Sequence, residues 1–321
     1  SRPGAAADAA GAAQVPGAVP LTAARFYLSS VPPRRRPPRP RSGSAAEAVV
    51  ARIDAAPPGT SIEAITTGFP SLDRLLGGGF RRQDLVMLGG DVGSGKSSFA
   101  LAMALRSAEA GMPVTYLSGE MSESRLMERA LALEGRVRVD ALRGGDLDEV
   151  SRAAVGAAAL RLRDLPLRIR PLAGHRFAEV AAALEASPPQ GLVVVDDLQL
   201  AGSPAEAASG EDRAAATVRA LKGLALSANV ALLALAQLPR FRAGRRDPRP
   251  TLDDFGAHGV VKQVADVVLS IYREEMYRPA AGMEGAVELI VSKNRNGPTG
   301  YLDLYFYSHW LRFEDMLDPD R

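Results

Sequence analysis

The segment Gly90-Asp91-Val92-Gly93-Ser94-Gly95-Lys96-Ser97 constrains this chain more than any other, because it matches the pattern GxxxxGK[ST] in full. It follows the apolar run LVMLG and precedes a helix-like stretch that runs to Ala110. A strand, a glycine-rich turn and a helix start in that order leave few folds open. The glycines let the backbone curl until successive N–H groups face one point, and the helix N-terminus adds its positive end. Such a loop cradles phosphate. Within it, Lys96 is expected to reach the β- and γ-phosphates of ATP and the Ser97 hydroxyl to ligate Mg2+, with Ser98 completing the nucleotide contacts.

Around this loop, short apolar runs alternate with helix-like stretches. Strands are expected at residues 84–89, 113–118, 192–196, 230–236, 265–272, 286–292 and 301–307. Helices are expected at residues 96–110, 123–133, 147–163, 177–186 and 212–226. That alternation implies an α/β domain with a mostly parallel central sheet flanked by helices. The last two strands, joined by KNRNGPTG, are expected to pair as an antiparallel C-terminal edge.

Two further carboxylates suit phosphate chemistry. The run Leu192-Val193-Val194-Val195 ends at Asp196, which is expected to complete the Mg2+ shell from a neighbouring strand, with Asp197 as the adjacent alternative. Glu120 ends the strand PVTYLSG, placed beside the phosphate-loop strand if the sheet is doubly wound. It can activate water there, or serve only as an acid before a helix.

Charge divides the chain. The 321 residues carry 39 basic and 37 acidic side chains, a net of +2. The first 57 residues alone hold +5 and nine of the 23 prolines, so the remainder is mildly acidic at −3. Residues 1–43, rich in Ala, Pro and Arg, bury too little apolar surface to order themselves and are expected to be a disordered tail. Residues 44–57 carry a short helix with Ala46, Val49, Val50 and Ile53 at helical spacing, to dock on its own domain or a neighbouring subunit. Residues 58–321 form the α/β domain. Bulk positive charge is too small to hold nucleic acid by itself. The absence of cysteine excludes disulfides and Cys-ligated zinc, and three scattered histidines show no metal-ligand spacing. No apolar run reaches membrane-spanning length. The expected location is the cytoplasm, although the Arg-rich, acid-poor tail also suits organellar targeting.

Taken together, these residues resemble the RecA-like P-loop ATPase domain of the hexameric replicative helicases, the DnaB family, from about residue 65 to 314. Thr66-Thr67-Gly68-Phe69-Pro70-Ser71-Leu72-Asp73 is similar to that family's opening segment, and Gly119-Glu120-Met121-Ser122 to its catalytic-glutamate turn. Val195-Asp196-Asp197-Leu198-Gln199 is similar to its Mg2+ strand, and Lys293-Asn294-Arg295-Asn296-Gly297 to its arginine-finger hairpin. The resemblance implies ATP bound between subunits of a homo-oligomeric ring, a hexamer as in that family, coupled to single-stranded DNA. It implies Glu120 as the residue that activates water, Gln237 as a γ-phosphate sensor, and Arg129 as a second phosphate-side arginine. Arg295, helped by Lys293, would reach a neighbour's nucleotide.

Four departures stand against that pattern. The family's N-terminal helical domain is absent from this sequence. Gly90-Asp91-Val92-Gly93 is closer to the RadA- and KaiC-like branch. Gly256-Ala257-His258-Gly259 lacks the arginine and acid of the helicases' DNA-contact loop, and Lys262 stands where an acid is usual. The leading expectation is an ATP-hydrolysing DNA helicase or translocase. The alternatives are a RadA- or KaiC-like recombination or regulatory ATPase without processive unwinding, and a nucleotide-dependent adaptor.

Overall fold

The computed structural model describes residues 42–55, 64–172, 177–185, 191–199, 209–239, 245–279 and 282–316. The expected disordered tail lies outside them except for its last two residues, as do residues 56–63 and Arg240. The chain separates into two units, residues 1–56 and 57–321. In the first, helix α1 spans Ser42–Ala55, with Val49, Val50 and Ile53 exposed.

The second unit opens on a self-locked turn. Asp73 accepts from Thr66 Oγ1 at 2.5 Å and from Thr67 N at 2.8 Å, while Pro70 starts α2 (Pro70–Leu75), where a missing N–H is harmless. Strands β1 (Ala64–Ile65) and β2 (Phe80–Arg81) form a small antiparallel ladder. The main sheet begins with β3 (Leu85–Gly90), followed by helix α3 (Lys96–Glu109) and β4 (Val114–Ser118). Three helices come next: α4 (Glu123–Gly135), α5 (Val139–Gly144) and α6 (Glu149–Arg163). They lead to β5 (Leu167–Pro171), α7 (Phe177–Glu185) and β6 (Leu192–Asp196). Helix α8 (Gly210–Ala228), β7 (Ala231–Gln237), α9 (Val260–Val264) and β8 (Val267–Tyr272) precede the terminal strands β9 (Ala286–Asn294), β10 (Gly300–Tyr307) and β11 (Arg312–Asp315).

The nine strands lie in the order β11-β10-β9-β8-β3-β7-β6-β4-β5. All pairs from β8 to β5 are parallel, and β8-β9, β9-β10 and β10-β11 are antiparallel. Central strands β3 and β6 are buried along their whole length, as both-face coverage demands, and read as unbroken apolar runs. Alternate residues divide between two core layers. Val86, Leu88, Val194 and Leu233 join α3 on one face, and Leu85, Met87, Val193 and Leu232 join α8 on the other. Helix α3 is buried on every side from Ser98 to Ala108, and its small residues let it lie close to the sheet. Helix α8 is amphipathic, burying Ala215, Val218, Leu221 and Ala225 and capped by Ser209, whose side chain accepts from Asp212 N.

The architecture matches the expected fold, with three corrections. Neither Asp196 nor Glu120 lies on a strand next to β3. Strand β7 separates β6 from β3, and both β7 and β6 separate β4 from it. The expected antiparallel pair β9-β10 forms, but the edge is β11, a four-residue strand that periodicity does not reveal. Strand β5 was also absent from the expectation. Its sequence LRIRP buries only Ile169, because Arg168 and Arg170 face water at the opposite edge, where charged residues discourage further pairing.

Candidate functional site

The carboxyl ends of β3, β7, β6 and β4 open into one cleft of about 420 Å³, lined by the phosphate loop, Glu120, Arg129, Asp196, Asp197 and Gln237, with Arg273 and Phe306 from the far side. The chain leaves β3 toward β4 on one side and later crosses from β7 past β3 to β8 on the other, and such a switch point is where open α/β sheets hold ligands.

The loop earlier read from spacing is built around its lysine. Lys96 Nζ donates to the carbonyls of Gly90 and Asp91, each at 3.0 Å. Gly95, at the helix N-cap, has φ +100, and a Cβ there would come within 2.8 Å of the Phe313 ring, so glycine is required on two counts. Val92, Gly93, Gly95, Lys96, Ser97 and Ser98 line the cleft, whereas Gly90, Asp91 and Ser94 shape the loop from behind. The Asp91 carboxylate turns away to accept from Val92 N at 2.6 Å and the Tyr277 hydroxyl at 3.3 Å. Burial lowers the pKa of Lys96, while the carboxylates of Asp197, Asp196 and Glu120 act in the opposite direction.

Ser97 Oγ donates to Asp196 Oδ1 at 3.2 Å. A hydroxyl and a carboxylate side by side form an oxygen-only donor pair, which fits Mg2+, a hard cation that takes one or two protein oxygens and fills its shell with phosphate and water. Burial pushes the Asp196 carboxyl up to about 6, against the hydrogen bonds from Tyr116 and Ser97. Burial, and then the Asp196 charge, hold the Tyr116 phenol well above its usual range, so Tyr116 is the donor between them. Glu120 reaches the cleft although β4 is distant from β3. Gly119 N donates to Asp196 O at 2.6 Å and Met121 N to Ser118 Oγ at 2.9 Å, which fixes the turn that presents it. Gln237 is held similarly, its backbone N–H and carbonyl both meeting the Gln199 side chain.

Arg273 and Phe306 had no assigned role in the sequence reading. Arg273 donates to Gly93 O at 3.1 Å, stands 4.8 Å from the Phe306 ring and pairs with Glu275. Only the sheet order brings these residues to the loop, so no local signal could have found them. Lys293 and Arg295, in contrast, are not among the residues that line this cleft. Lys293 Nζ donates to Lys262 O at 2.6 Å and Arg295 to Gln263 O at 3.0 Å, beside the amino end of β8 and so at the end of the sheet away from the cleft.

The family model for the DnaB-like helicase C-terminal domain matches residues 64–315, the whole span from β1 to the end of β11. The chain belongs to that family. It is 32% identical over 260 residues to the replicative DNA helicase DnaC of Bacillus subtilis (strain 168), covering 79% of this chain and 57% of that protein. The replicative DNA helicase DnaB of Geobacillus stearothermophilus gives the same identity and coverage. The chain therefore spans little more than half the length of these relatives. Among solved structures, the ATPase domain of G40P superposes with a TM-score of 0.79 at 26% identity, covering 86% of this chain and all of that domain. A DnaB-like replicative helicase described with its interactions with primase gives a TM-score of 0.76 at 26% identity, over 86% of this chain and 67% of its own. Among the described residues, no helix of this DnaB-family domain is long and apolar enough to cross a membrane.

Proposed function

We propose that the chain is the ATP-hydrolysing motor of a DnaB-type DNA helicase or translocase. The observation that carries this reading is the convergence of Lys96, Ser97, Glu120, Asp196 and Gln237, from four strand ends, in one cleft. Lys96 and the loop N–H groups bind the phosphates, and Arg129 adds positive charge from α4. Mg2+ held at Ser97 and Asp196 would neutralise charge on the phosphate oxygens. Glu120 accepts the proton of the attacking water, and Gln237 orients its γ-phosphate side. Lys293 and Arg295, outside their own subunit's cleft, serve the nucleotide of a neighbour in a homo-oligomeric ring, a hexamer in the simplest case. Added positive charge there stabilises the transferring phosphoryl group. Single-stranded DNA is the track.

The test is ATP turnover by the purified chain with and without single-stranded DNA. Lys96→Ala and Glu120→Gln should each lower kcat by roughly 100-fold or more, the scale of acid–base and positioning losses. Unchanged turnover in both would sink the reading. Mixing Arg295→Ala with Glu120→Ala subunits should restore part of the activity, and no rescue at any ratio would remove the inter-subunit role.

One observation favours a second reading, an ATPase of the same family that regulates or assembles without processive unwinding. The loop at 256–259 has positive φ at all four residues and is clamped to the start of α8. His258 N donates to Glu211 Oε2 at 2.9 Å, and its Nε2 lies 3.1 Å from Asp212 Oδ1. Carboxylates hold this loop where the resemblance would put an arginine for DNA. DNA-stimulated turnover without strand separation on a forked substrate would select this reading.

A further inference from the structure

Tyr116 lies mid-strand in β4, paired with Val194 of β6 on one side and Ile169 of β5 on the other, and is fully buried. In this parallel register, Tyr116 and Val194 point to the same face, as does Asp196 two residues further along β6. Tyr116 is thus the diagonal neighbour of Asp196, a separation that only a long side chain spans. Its hydroxyl donates to Asp196 Oδ2 at 2.7 Å, while Oδ1 of the same carboxylate accepts from Ser97 Oγ at 3.2 Å. The carboxylate is gripped from two directions, from the core by Tyr116 and from the cleft by Ser97. The surrounding layer is apolar, with Phe99, Leu101 and Val194 in the same core cluster. A buried phenol costs free energy there unless its hydroxyl is satisfied, whereas phenylalanine would fill the same space at no such cost.

We propose that Tyr116 is a positioning residue for the divalent cation, acting through Asp196. The inference rests on the reading of Asp196 and Ser97 as the Mg2+ side of the cleft. By holding Oδ2, Tyr116 prevents the carboxylate from turning, and Oδ1 stays beside the Ser97 hydroxyl so that both oxygens face one ion. Tyr116 is not among the residues that line the cleft. Its effect is on the metal, not on the phosphate loop.

The full chain, its Tyr116→Phe variant and its Asp196→Asn variant are each mixed with a fluorescent ATP analogue and titrated with MgCl2. Binding of the same analogue is measured in EDTA, and circular dichroism checks folding. Tyr116→Phe is expected to raise the half-saturating Mg2+ concentration about tenfold, the lower end of typical outer-shell losses, with binding in EDTA unchanged. Asp196→Asn should abolish most of the Mg2+ response. A half-saturation point for Tyr116→Phe within twofold of the parent chain, with Asp196→Asn impaired, overturns the role of Tyr116 alone. An Mg2+ response that survives Asp196→Asn overturns the metal-side reading and this proposal with it. Loss of analogue binding in EDTA by Tyr116→Phe would mean a collapsed cleft, and also overturns it.

Discussion

Arg295 Nε lies 3.3 Å from Oδ1 of Asp266, a carboxylate whose side chain is only 4% exposed. The other oxygen of Asp266 accepts from Lys222 Nζ at 2.5 Å and from Leu85 N at 2.8 Å. One buried anion therefore ties the β9-β10 hairpin, helix α8 and the base of the phosphate-loop strand together. Replacing Lys222 by Met removes one cation from a buried pair and should lower stability by about 3 kcal/mol, measured by urea unfolding. A loss within experimental error would mean that Arg295 alone satisfies the carboxylate.

Arg106 is a buried charge in the last turn of helix α3, held there by several partners. Its guanidinium donates to Gly68 O at 3.1 Å, Phe313 O at 2.9 Å and Glu314 at 3.1 Å, and stands 4.1 Å from the Phe69 ring. Arg106→Met keeps the stem but leaves these acceptors short of a donor. The expected loss is about 3 kcal/mol. A thermal melt showing no decrease would contradict this account.

Asp84 gives a pH dependence with a definite sign. Burial, and then the neighbouring Asp266 charge, raise its carboxyl from 3.8 to about 6. The folded state therefore holds this proton more tightly than the unfolded state does. The stability that the group contributes is complete below about 3.8 and is lost as pH rises through about 6. Asp84→Asn should leave stability near pH 4 almost unchanged and raise it above pH 7 relative to the parent chain. Parallel stability curves for the two proteins between pH 4 and 7 would refute the shift.

Arg273→Met tests the far wall of the cleft. It removes the donor to Gly93 O and the cation over Phe306 without touching Glu120 or Asp196. Loss of a charged hydrogen bond to the loop should raise KM for ATP about tenfold, with a smaller effect on kcat. Equal losses in both parameters would instead assign Arg273 to the chemical step.

The sequence by itself determined the elements whose signal is local. Strand β3, the glycine loop and α3 were legible because GxxxxGK[ST], an apolar run and a helical period all fall within about 25 consecutive residues. Asp196 was legible for the same reason, as the acid that ends LVVV. Strands β5 and β11 were not, since edge strands bury one or two side chains and their periodicity is too short to read. Tertiary structure alone decided the strand order, and with it which distant residues meet. Tyr116 finds Asp196 across 80 positions and Arg273 finds Gly93 across 180, while Arg295 stays outside its own cleft. Spacing along a chain reports which side chains share a face of one element. Which faces meet depends on how the sheet is wound to bury both of its sides, and that is a property of the whole core.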